Sequence, residues 1–119
     1  MDKNNPIAVL SKSFALRIVK LESYLREKKR ELTLSKQVLR SGTSIGANIR
    51  EGIYAQSRAD FISKMSIALK ESSETEYWLE LLHESGYLDN KSFESIYNEN
   101  SRISATLINI IKKTKESEN

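Results

Sequence analysis

At 119 residues the chain is the size of one domain able to bury a core. With 39% hydrophobic and 29% charged residues it falls among soluble helical domains, and the absence of cysteine excludes disulfides, thiol catalysis and thiolate zinc sites. The net charge of +3 hides an asymmetry: residues 1–58 carry a balance of +7 and residues 59–119 a balance of −4. Three readings stand for such a division: a nucleic-acid face, basic and acidic halves meeting within or between subunits, or ordinary solvated helix faces. No apolar run is long enough to cross a membrane and the N-terminus lacks the apolar region of a signal peptide, so the cytoplasm is the expected location.

In chain order, Asn5-Pro6 supplies a helix cap and a proline tolerated at the first helical position. Ile7, Leu10, Phe14, Ile18, Leu21 and Leu25 then recur at steps of three and four until the charged run from Arg26 to Glu31, predicting a helix over about 6–30. Thr33 or Ser35 is the expected cap of a second helix over 34–55, with the stripe Leu34, Val38, Gly42, Ile45, Ile49 and Ile53. Ser57-Arg58-Ala59-Asp60 has the spacing of a capping box ahead of a third helix over 58–85. Its stripe is small in the middle (Ala68, Ser72, Thr75), and Gly86 suits the residue just past its end. Asp89 caps a fourth helix over 90–114, striped by Phe93, Ile96, Asn100, Ile103, Leu107 and Ile110 and followed by a polar tail to Asn119. Long helices with short connections predict one all-α domain over 1–119, an antiparallel up-down-up-down four-helix bundle.

Three of the four glycines, Gly42, Gly46 and Gly52, fall inside the second helix, where each costs about 1 kcal/mol relative to alanine. A phosphate-binding loop is disfavoured because no strand precedes the stretch and no Gly-Lys-Ser/Thr ends it. Close helix packing is the better cause, with the small midsection of the third helix as the expected partner. Ser41, Ser44, Asn48 and Glu51 line the neighbouring face and are expected to form a polar network at a helix or subunit interface.

The stretch from Ser41 to Gly52, S-G-T-S-I-G-A-N-I-R-E-G, also resembles the signature of a bacterial family, the 23S rRNA-intervening-sequence proteins. Asn5-Pro6-Ile7, Leu34-Ser35-Lys36-Gln37, Phe61 to Met65, Ala68 to Glu71, Tyr77-Trp78-Leu79 and Gly86-Tyr87-Leu88 extend the similarity over about residues 5–110. The resemblance implies a four-helix bundle that assembles into a ring-shaped homopentamer, with no enzymatic activity and no cofactor. It also implies kinship with the accessory protein of diversity-generating retroelements, which binds nucleic acid and a reverse transcriptase.

Chemistry finds little to work with. Glu80 and His83 have the Glu-x-x-His spacing of di-iron bundles, but His83 is the only histidine, so a surface or capping role is expected and no metal. Glu76, Glu80 and Glu84 line one face as solvated groups or partners of cations, and no serine has a histidine partner or a nucleophile elbow. The remaining candidate is basic: Arg26, Lys28, Lys29, Arg30 and Lys36 around the first turn, with Arg40 one helical turn on. Repeated in a ring, these cations would bind RNA or DNA phosphates with little sequence preference; with Tyr24 as the one aromatic nearby, base stacking is poorly supported. The alternative is a protein–protein adaptor that touches no nucleic acid, its basic half neutralised by residues 59–119.

Overall fold

The structure, a computed structural model, describes residues 1–117; the last two residues of the expected tail and of the 1–119 domain lie outside them. The described residues form four helices: α1 (Pro6–Glu27), α2 (Leu34–Ile53), α3 (Arg58–Glu84) and α4 (Asn90–Glu116). Three of the caps form as local chemistry dictates. Asn5 Oδ1 accepts from Ile7 N–H at 3.1 Å, Ser57 Oγ from Asp60 N–H at 3.0 Å, and Asp89 Oδ1 from Ser92 N–H at 2.7 Å. Gly86 takes φ +86°, and around it Tyr87 N–H bonds Leu82 O at 2.8 Å while Gly86 N–H bonds His83 O at 3.1 Å. That is a Schellman motif, and it turns the chain back into α4.

The cap of α2 departs from expectation. Thr33 has helical backbone angles (φ −96°, ψ −58°), so its hydroxyl caps nothing. Ser35 is already inside the helix, buried, with its own Oγ unpartnered. Glu31 supplies the cap instead: its Oε1 accepts from Ser35 N–H at 2.8 Å.

Each helix packs on its neighbour in chain order and α4 returns to α1, with no packing across either diagonal among the described residues. Facing residues give the direction. Gly46 meets Ser11 and Gly42 meets Ile18, Ser41 meets Thr75 and Glu51 meets Lys64, so numbers fall on one helix as they rise on the next. All neighbours are therefore antiparallel, in a bundle about 50 × 21 × 20 Å. Phe14, Ile18, Leu25, Val38, Ile45, Ile49, Met65, Leu79, Leu82, Ile103 and Leu107 are fully buried along its axis, as the four stripes require.

The glycines correct one expectation. Gly42 and Gly46 face α1 rather than the small midsection of α3. A Cβ on Gly42 would lie 2.8 Å from Ile18 Cγ1, and one on Gly46 would lie 3.4 Å from the Ser11 carbonyl. Gly52 alone faces α3, against Met65 and Lys64. The small residues of α3 instead make room for buried polar pairs. Thr75 gives its one hydroxyl proton to Glu71 O at 2.8 Å and so accepts from Ser41, 2.9 Å away. Asn100 of α4 donates to Ser72 O at 2.9 Å and accepts from Ser72 Oγ at 2.8 Å.

Candidate nucleic-acid interface

The six basic candidates all lie toward one end of the bundle, on the last turn of α1, the α1–α2 connection and the first turns of α2. Helix α1 stops three residues earlier than its charge run suggests. Lys28 N–H closes it on Tyr24 O at 2.9 Å, and Arg30 then turns the chain with φ +56°, in the left-handed region. Glu31 N–H reaches back to Leu25 O at 3.0 Å before its carboxylate caps α2. A non-glycine residue held left-handed costs about 1–2 kcal/mol, so the turn carries some strain.

Ion pairing divides the six. Arg26 Nε donates to Glu22 Oε2 at 3.0 Å and lies 3.6 Å from Glu27; the bond and charge of Glu22 push its pKa up further. Arg40 reaches across to α3, where Nη1 donates to Glu71 at 3.2 Å and Nη2 to Glu74. Trp78 Nε1 donates to the same Glu74 carboxylate at 3.0 Å, which fixes that acceptor in place. Lys28, Lys29, Arg30 and Lys36 are exposed and, among the described residues, have no carboxylate at ion-pair distance. Lys29 Nζ sits 5.9 Å over the Tyr24 ring, a cation–π arrangement that leaves the charge open to water.

The second group of candidates does not come together as a network. Ser41 alone makes a buried pairing across helices among these four. Ser44 Oγ donates to Arg40 O at 2.6 Å and Asn48 Nδ2 to Ser44 O at 2.8 Å, both within α2, because a short polar side chain satisfies itself most easily on its own preceding turn. Glu51 pairs with Lys64 of α3 at 3.4 Å, at the surface. The signature is thus mainly a packing device, in which Gly42 and Gly46 seat α1, and Ser41 and Gly52 seat α3.

Six acidic residues sit on α3, more than on any other helix. Glu76 and Glu80 surround the Tyr97 hydroxyl, whose pKa is raised first by burial and then by the two negative charges. His83 stacks on Phe93 with centroids 4.1 Å apart, its Nε2 lying 2.7 Å from Asn90 Oδ1, and so ties the end of α3 to the start of α4. Among the described residues no group of three His, Asp or Glu side chains could hold a metal ion, and no helix is long and apolar enough to cross a membrane. Sequence reasoning missed Lys20 and Tyr87. They line one groove only because α4 folds back on α1, and no local signal announces that.

The comparisons with known proteins agree with this geometry. The family model described as 23S rRNA-intervening sequence protein matches residues 3–109. A crystal structure from Bacteroides thetaiotaomicron, described as a protein with unknown function from the S23 ribosomal protein family, is 55% identical to the chain. The match covers 92% of this chain and 98% of that one, with a TM-score of 0.90. No curated protein matches. A family match over most of the chain places it in the 23S rRNA-intervening sequence protein family.

Proposed function

We propose that the protein is a non-enzymatic, oligomeric bundle that binds RNA or DNA phosphates through its α1–α2 turn. The observation that carries this reading is the exposed run Lys28, Lys29 and Arg30, with Lys36 beside it. Among the described residues these four have no carboxylate partners, while Arg26 and Arg40 are neutralised. A ring repeats the turn in every subunit, and weak phosphate contacts made together add steeply through counterion release. The subunit count comes from the family resemblance, which implies five. Exposed apolar side chains support association: Val9 and Leu16 on α1 are 54% and 58% exposed, and Tyr77 on α3 is 54% exposed. Light scattering tests the assembly, with a mass of about five times 13.6 kDa expected. Binding to structured RNA and duplex DNA at low salt tests the contact, and absence of binding by the wild-type oligomer overturns it.

One observation favours the adaptor reading. Arg17 and Arg40, in the basic half, are neutralised by Glu99, Glu71 and Glu74, in the acidic half. If the same complementarity extends between subunits to Lys28, Lys29 and Arg30, the ring presents a protein-binding surface instead. A reverse transcriptase is the kind of partner the resemblance implies.

A further inference from the structure

Beside the basic turn, the seam between α1 and α4 opens into a groove of about 370 Å³. Glycine seats α1 firmly against α2, but on this flank the helices stand further apart, and Leu21, Leu88 and Ile96 floor the gap. Tyr24 from α1 and Tyr87 from the α3–α4 turn bring aromatic rings to it. Its two cations differ. Arg17 is spoken for, donating to Glu99 at 2.6 Å and to Ser95 Oγ at 3.2 Å, whereas Lys20 has no carboxylate at ion-pair distance among the described residues. Asp89 stands on the rim beside α4, its Oδ1 already taken by Ser92 N–H.

An apolar floor, two aromatic rings and a free ammonium make a surface for a flat, partly apolar group attached to an anion. The Lys29 ammonium over Tyr24 puts the groove and the basic turn side by side, so one strand can occupy both. We propose that the groove takes one unpaired base of an RNA or DNA strand whose phosphates lie on Lys20, Lys28 and Lys29. Stacking on tyrosine is the recurring way single strands are held, and it needs a base free of its duplex partner. Asp89 repels phosphate from the α4 rim, which keeps the backbone on the α1 side. The inference rests on the phosphate-binding reading above and adds a preference that phosphate contacts alone do not give: single strands over duplex.

The test compares a short single-stranded RNA, the same strand made abasic, and a matched duplex, each against the full-length protein and its Tyr87→Ala, Tyr87→Phe and Lys28→Ser/Lys29→Ser/Arg30→Ser variants. Tyr87 lies off the basic run, so its loss separates base from phosphate. The wild type is expected to prefer the natural single strand to both other probes by about tenfold, and Tyr87→Ala to remove most of that preference while changing duplex affinity by less than about twofold. Tyr87→Phe keeps the ring and should keep the preference; its melting temperature and that of Tyr87→Ala show that both are folded. Equal affinity for abasic and natural strands overturns the inference and leaves the groove to a partner's side chain, with phosphate binding intact. A Tyr87→Phe variant as weak as Tyr87→Ala also overturns stacking. Wild type that binds none of the three probes at low salt overturns the phosphate reading, and the inference with it.

Discussion

On one flank of α1, Gly42 draws α2 in until the branched carbons of Ile18 lie 2.8 and 2.9 Å from where a Cβ would stand; on the other, α4 is held at the surface by Arg17 and Glu99 and stands off far enough to leave a groove. The two seams use different physics. The first is shape complementarity between a missing side chain and a stiff β-branched one, which tolerates almost no added volume. The second is a partly exposed ion pair over a thin apolar floor, which contributes little and can rearrange. A bundle built this way has a rigid side and an adaptable side, and the free cations sit at the end where the two meet.

Overpacking the rigid seam should have the largest effect. Gly42→Leu is expected to cost about 3 kcal/mol or more, read as a lowered denaturation midpoint, because even a Cβ would lie 2.8 Å from the fully buried Ile18. Gly46→Ala is its control: the new Cβ meets Ser11, its carbonyl and hydroxyl oxygens both at 3.4 Å, an ordinary contact distance, so the gain in helix propensity, up to about 1 kcal/mol, should leave stability unchanged or raised. If Gly46→Ala destabilises as much as Gly42→Leu, the two glycines do not differ in role. Next comes the polar pair of the α3–α4 seam. Asn100→Ala removes the side-chain acceptor of the Ser72 hydroxyl and the second donor to the Ser72 carbonyl, leaving the hydroxyl only the longer bond to the residue 100 carbonyl, and should cost about 1–2 kcal/mol. On the adaptable seam, Arg17→Ala should cost less than about 1 kcal/mol by the same measurement.

Two smaller effects concern the turns. Arg30→Gly relieves a left-handed residue while removing a free cation, so melting temperature should hold or rise as nucleic-acid affinity falls. A fall in both would mean that Arg30 supports the turn through its side chain. At the neighbouring α3–α4 turn, the Ser92 backbone N–H holds the Asp89 carboxyl below the usual carboxylate range. A depressed folded pKa gives stability that is present above the unfolded value and lost as pH falls through the folded one. Asp89→Asn keeps the cap without the titration, so its melting temperature should approach that of wild type as the pH falls below the ordinary carboxylate range.

Much of the fold was legible in the sequence, for reasons that also explain what was not. The four stripes and the caps at Asn5, Ser57, Gly86 and Asp89 depend on neighbours within a few residues, and all appear as read. The partner of Gly42 was not legible. Adjacent helix positions point about 100° apart, so Ser41 and Gly42 address different neighbours, and periodicity does not say which. Thr33 failed as a cap because its backbone is already helical, which local sequence does not announce. The division of cations into paired and free was hidden for the same reason as the groove: Arg40 finds Glu71 and Glu74 on another helix, just as Tyr24 and Tyr87 line one groove only when α4 closes on α1.

The proposed function stands or falls on that division of cations, which the salt dependence of binding reads out. Log affinity for a structured RNA should be measured against log salt for wild type, for Lys28→Ser/Lys29→Ser/Arg30→Ser, and for Arg40→Ser. Wild type should show a linear fall, and the triple variant a slope shallower by about 0.7–0.9 for each phosphate it no longer neutralises. Arg40→Ser should keep the wild-type slope, because the Arg40 charge is already spent on α3. A triple variant with the wild-type slope, or an Arg40→Ser variant whose slope flattens as much as that of the triple one, contradicts the phosphate-binding turn.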